Sequence, residues 1–204
     1  MKAVRSTLLL IIAFSVLLIG CDNSPDIPSA NNPDPYFMHD VATAEAGGYP
    51  VYWLGWEFAA GDLTFYGPYG SGTGGEVEGG GARVNYSAPI QGGGNVGVDL
   101  VTYTRAAWEL AKERMMNPKI PGETRPVTRR SVAVKGRQAD LLSLPGLTRP
   151  VNQLRLIVDM GDAVVLAIAP SVGPATPGGP EGSPFINNPD LLVQVMQDLR
   201  PYAE

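Results

Sequence analysis

Residues able to do chemistry are few in this 204-residue chain, and they are scattered: one cysteine, Cys21, and one histidine, His39. A Ser/His/Asp triad or a multi-histidine metal site would have to be built around His39. That residue lies in a Pro-, Asn- and Asp-rich stretch unsuited to the fixed geometry such sites need. No Ser-x-x-Lys occurs. Asp159 and Asp162 flank a Met160-Gly161 turn and would face each other, but two carboxylates fall short of the roughly six to eight oxygens a calcium ion takes. They read as solvated turn acids. Gly70, Gly72 and Gly75 match G-x-G-x-x-G, a pattern that lets a backbone approach pyrophosphate where a helix opens. Here Pro68 intervenes after the preceding strand, and Glu76 and Glu78 would stand where phosphate should sit. The expectation is a chain with no catalytic set, no metal and no cofactor.

Cys21 has a different explanation. Lys2 and Arg5 form a basic start, Leu8 to Ile19 an apolar run, and Gly20 a small residue before the cysteine, the layout of an export signal. Asp22 and Asn23 end the run well short of the roughly 20 apolar residues a membrane-spanning helix needs. The segment Leu18-Ile19-Gly20-Cys21 resembles the lipobox of bacterial lipoproteins. That resemblance implies cleavage after residue 20, a diacylglyceryl group on Cys21 and a palmitate-bearing new N-terminus. It places the protein on the extracytoplasmic face of the cell membrane, lipid-anchored in the cell envelope, with the membrane as its first partner. Two or more acyl chains, each worth about 0.8 kcal/mol per buried CH₂, hold far better than one. A lipidated sulfur also leaves no thiol for a nucleophile, a disulfide or a metal.

Without residues 1–20 the chain keeps 13 basic and 20 acidic residues, a net charge of −7, which argues against nucleic acid as a partner. Glycine (25) and proline (19) exceed a fifth of the chain, so short elements joined by long turns are expected. Residues 21–48 read as the lipidated N-terminus and a flexible stem, with a short piece around Tyr36 to Met38 able to dock on the head. A globular domain fills 49–204.

In that domain, alternation and β-branched or aromatic content predict strands at 49–58, Leu63–Tyr66, Ala82–Ser87 and Val96–Tyr103. Thr104 caps a helix over Arg105–Met116, in which Arg105 and Glu109 could pair across one turn. "SVAVKG" and "QADLLSL" read as strands, and 153–171 as a hairpin. In the hairpin Leu154, Leu156 and Val158 share one face with Ala163, Val165 and Ala167, while Ile157, Val164, Leu166 and Ile168 lie on the other. Both faces are apolar, so these are inner strands. A last helix starts at the Asn188 cap with Pro189. The fold class is α+β: a single domain, mainly an antiparallel twisted sheet with two helices packed on it.

Two clusters invite a binding role. Eight of the sixteen aromatics fall between Tyr49 and Tyr69, so Tyr52, Trp53 and Trp56 could form a platform for a glycan or lipid; the competing and favoured reading is that they nucleate the core. Residues 119–137 carry a local excess of +5, and Arg125, Arg129 and Arg130 could form an anion patch facing lipid headgroups. The competing reading is a charged edge strand that resists pairing between molecules.

The segment Tyr49 to Gly55, "YPVYWLG", is similar to one found in uncharacterised bacterial envelope lipoproteins. The closing strand, hairpin, helix and "LRP" resemble the outer α+β modules of membrane-anchored anti-sigma-factor-like proteins. Together these imply a non-catalytic binding or interaction protein of the envelope, its partner an envelope protein, glycan or lipid. An envelope hydrolase is the remaining alternative.

Overall fold

The computed structural model describes residues 26–70, 77, 80–90, 94–119, 122–146, 149–170 and 183–202. The expected export signal over residues 1–20, Cys21, Gly72, Gly75 and most of the Pro/Gly loop before the last helix lie outside them. In chain order come α1 (Pro35–Ala46), β1 (Tyr52–Trp53), β2 (Glu57–Ala60), β3 (Leu63–Gly70), β4 (Gly81–Pro89), β5 (Asn95–Thr104), α2 (Arg105–Met116), β6 (Thr128–Val134), β7 (Arg137–Gly146), β8 (Arg149–Asp159), β9 (Ala163–Pro170), α3 (Pro184–Asn187), α4 (Pro189–Val195) with a 3-10 turn at Met196–Asp198, and β10 (Arg200–Pro201). Eight strands form one antiparallel sheet in the order β2-β3-β4-β5-β9-β8-β7-β6, and β1 pairs with β10 in a second, two-stranded sheet. The chain is a single α+β domain.

Strand alternation supplies two cores. One face of the sheet presents Val98, Leu100, Leu156, Val158 and Val165 to a large core under α1, α3, α4 and the small sheet. The other presents Val101, Tyr103, Ile157, Val164 and Leu166 to α2, through Ala107, Trp108 and Ala111. The hairpin faces are those its alternation predicts, but the register differs by two residues. Asp159 pairs with Val164, and the turn closes through Met160 N–H on Ala163 O at 2.9 Å. A two-residue slip keeps every side chain on its face, since the period is two.

Helix α2 spans the expected residues, and Thr104 Oγ1 accepts from Ala107 N–H at 3.1 Å. Its C-terminal carbonyl at Met115 accepts from the Arg155 guanidinium at 2.8 Å, which satisfies an end group the helix cannot bond itself. Arg105 does not pair with Glu109 as expected. It binds Asp159 through both terminal nitrogens, and Glu109 takes Lys112 instead. Asn188 precedes α4 but makes no side-chain cap bond.

Among the described residues there are four helices rather than the expected two, and α1 falls in the stretch assigned to a flexible stem. Asp34 caps it, Pro35 occupies its first position, and Phe37, Val41 and Ala44 are buried on one side. These fall at i, i+4 and i+7, one helical face. The strand expected over 49–58 is broken at Gly55, whose φ of 95° belongs to the left-handed region glycine tolerates. The break sends β1 to β10 and β2 to the edge of the large sheet.

Candidate functional site

The aromatic segment divides at Gly55. Tyr52 and Trp53 are in the core, not facing a ligand. Tyr52 N–H donates to Thr102 Oγ1 (3.1 Å), and its hydroxyl lies 3.0 Å from Asp162 Oδ1. Trp53 packs against Phe37 (6.3 Å between ring centroids), Trp56 (5.3 Å) and Tyr202 (4.9 Å), with the Arg200 guanidinium 5.4 Å from its ring. The cluster uses offset and edge-to-face contacts, the arrangements the ring quadrupole favours. Burial is the physical reason the platform reading fails for Tyr52 and Trp53. Trp56 is only half-buried and lines a groove.

That groove has a volume of about 840 Å³. One wall is the run of consecutive residues from Leu54 to Ala59, with Tyr66 beside it. Within β2 the groove touches Glu57, Phe58 and Ala59, whose side chains alternate between the two faces, so it reaches round the strand's edge. The opposite wall is Leu191, Gln194, Val195 and Asp198, spaced as one face of α4 and its 3-10 extension. Ile27 to Ala30 close one end, and Arg200 lies on the rim. The lining combines the buried apolar side chains of Leu54, Phe58 and Val195 with two carboxylates, Glu57 and Asp198, and one guanidinium, Arg200.

No family model, curated protein or solved structure matches this chain. The groove must therefore be read from its own geometry.

The arginines expected to form an anion patch are each held by a carboxylate. Arg125 donates to both oxygens of Glu123 (3.0 and 2.7 Å), and these bonds draw the Glu123 carboxyl down to about 2. Arg129 forms a two-point pair with Asp140 across the β6–β7 ladder (2.8 and 2.6 Å). Arg130 pairs with Asp190 in the first turn of α4. Two of these three acids, Asp140 and Asp190, lie outside the basic stretch and could not be assigned to it from the sequence. Paired in this way, the three guanidinium groups offer no concentrated positive field to a headgroup, and two of them lie on the edge strand that the competing reading describes.

Asp159 and Asp162 do not form a cation site either. Arg105 takes Asp159, Tyr52 takes Asp162, and the Asp159 carboxyl is held below its ordinary range first by the Arg105 hydrogen bonds. His39 is on the exposed side of α1, 3.9 Å from Asp40. Among the described residues no group of three or more His, Cys, Asp or Glu side chains converges. Cys21 lies outside those residues. Sequence reasoning passed over Glu57, Asp198 and Arg200. They are brought together only when β10 returns beside β1 and α4 packs along β2, and nothing local to their sequence positions signals it.

Proposed function

We propose that this chain is a lipid-anchored binding protein on the extracytoplasmic face of a bacterial membrane, held through Cys21, which retains a ligand in the β2–α4 groove without transforming it. The observation that carries the reading is the groove itself: about 840 Å³, lined by buried Leu54, Phe58 and Val195 and by exposed Glu57, Asp198 and Arg200. Such a concave site with few polar groups is the usual form of a binding pocket.

The N-terminal segment adds a spatial argument. Ile27 is part of the groove and lies six residues after Cys21, so the groove end is at most about 22 Å from the lipidated sulfur along an extended chain. Its ligand is then a component met at the membrane surface. Trp56 and Tyr66, both lining the groove, favour as a second reading a ligand with a flat face, such as a glycan ring.

The anchor is tested by intact mass of native material: loss of residues 1–20 and addition of a diacylglyceryl group are expected, and an unmodified sulfur or a chain beginning at Met1 would overturn it. Binding is tested by tryptophan fluorescence during titration with envelope glycans, lipids and peptides. A response abolished by Trp56→Phe is expected from a ligand in the groove.

A further inference from the structure

The two edges of the large sheet are finished differently. At β6 the Gln197 side chain supplies what a neighbouring strand would: its Nε2 donates to Ala133 O at 3.0 Å, and its Oε1 accepts from Lys135 N–H at 2.8 Å. Arg129 and Arg130 add charge to the same edge. Natural sheets blunt their edges in these ways because an open edge offers unpaired backbone groups to another chain.

At β2 the protection among the described residues is its four-residue length and one exposed charge, Glu57, with no side chain standing in for a neighbouring strand. Gly67 N–H donates to Trp56 O at 3.1 Å, so in the antiparallel alternation Phe58 and Ala60 bond across to Phe65 and Leu63. Glu57 and Ala59 therefore aim their N–H and C=O groups away from β3, toward the groove they line. No hydrogen bond among the described residues engages those four groups. The strand contains neither lysine nor proline. Helix α4 reaches both edge strands, but on this side it leaves a groove instead of a seal.

We propose that the β2 edge takes an extended, basic peptide segment of a partner protein by strand addition. The proposal rests on the groove being the binding site. The free backbone groups select a polypeptide, since a lipid tail cannot satisfy them and a sugar does not repeat at strand spacing. Charge complementarity selects the side chain. Glu57 is exposed, and a peptide residue paired opposite it places its side chain on the same face about 5 Å away, which suits Lys or Arg. Asp198 adds a second carboxylate to the groove, against the single Arg200. The next peptide residue faces the other way, toward buried Val195 on the α4 wall, so the segment alternates basic and apolar side chains.

The test uses the full chain and three pentapeptides: acetyl-Val-Lys-Val-Thr-Val-amide, its Lys→Glu analogue, and the first peptide with alternate backbone nitrogens methylated. At millimolar concentration the lysine peptide should slow amide exchange at Glu57 and Ala59, and the methylated one should not. Ala59→Pro removes an outward N–H that the ladder does not use, a change an edge strand accepts, and affinity should fall about tenfold or more with near-UV circular dichroism unchanged. Glu57→Lys should reverse the preference between the lysine and glutamate peptides. Binding indifferent to methylation, or no protection at the two amides, would overturn the proposal. So would protection that appears with protein concentration alone, which would make a second copy the occupant. A glycan or vesicle that shifts Trp56 fluorescence with the edge amides unprotected would remove strand addition and leave the binding reading standing. If peptides, glycans and lipids all leave Trp56 silent, the binding reading falls as well.

Discussion

Asp34 ties Gly70 to the helix it caps. Its Oδ1 accepts from Phe37 N–H at 2.8 Å, in the first turn of α1, and from Gly70 N–H at 2.9 Å, at the end of β3. One carboxylate oxygen thus starts the helix and fixes it to the sheet. Gly70 has no room for a side chain: a Cβ there would lie 2.2 Å from backbone atoms of Tyr36 and Phe37.

Three substitutions follow from this junction. Phe37→Ala removes a fully buried ring and should cost about 3–5 kcal/mol in denaturant unfolding. Asp34→Ala should cost about 1–3 kcal/mol, the loss of a cap plus a second bond to a charged acceptor. Gly70→Ala should expose α1 to limited proteolysis while α2 stays protected. A flexible stem over 21–48 would predict no effect from any of the three.

Tyr86 should prove hard to replace even by phenylalanine. Its hydroxyl accepts the buried Leu54 N–H at 2.9 Å, and burial pushes its ionisation well above the ordinary tyrosine range. Tyr86→Phe leaves that N–H without a partner and should destabilise by about 1–3 kcal/mol. Because Leu54 forms part of the groove wall, the same variant should also weaken any ligand that Trp56 reports.

The Arg105–Asp159 pair gives a modest acid dependence of defined sign. Asp159 titrates below its unfolded value, so the stability it adds is present above about pH 4 and disappears as pH falls through the lower folded value. Both side chains are about half exposed, which limits the effect to at most ~1 kcal/mol. Asp159→Asn should therefore be less stable than the parent at pH 7. That difference should close in urea titrations carried below pH 4.

Charge removal at β6 should have little consequence for membranes. Arg129→Gln with Arg130→Gln breaks two solvent-screened pairs and should leave the urea midpoint almost unchanged. Binding of unlipidated protein to anionic vesicles should not change, because Arg129 and Arg130 are already paired with Asp140 and Asp190. A clear loss of vesicle binding would restore the headgroup patch.

Helix α1 was legible in the sequence but outweighed by its composition. Asp34-Pro35 is a helix start, and Phe37, Val41 and Ala44 lie at helical spacing, yet the Pro- and Asn-rich residues before them dominate the stretch. The α2 boundaries and the two hairpin faces were readable because caps and side-chain period are local properties. Hairpin register was not, since a slip of two residues preserves the same pattern.

By itself the sequence determined the α+β class, the inner position of β8 and β9, and the scarcity of residues suited to catalysis. Periodicity, capping and composition carry that information along the chain. Only the tertiary structure decided which aromatics are core, which arginines are neutralised, and which sheet edge is left unbonded among the described residues. The deciding partner can be tens of residues away, as Asp162 is for Tyr52, Asp190 for Arg130 and Gln197 for Lys135. Whether a charge or a backbone group is free is set by what packs against it, and packing joins residues that no local pattern relates.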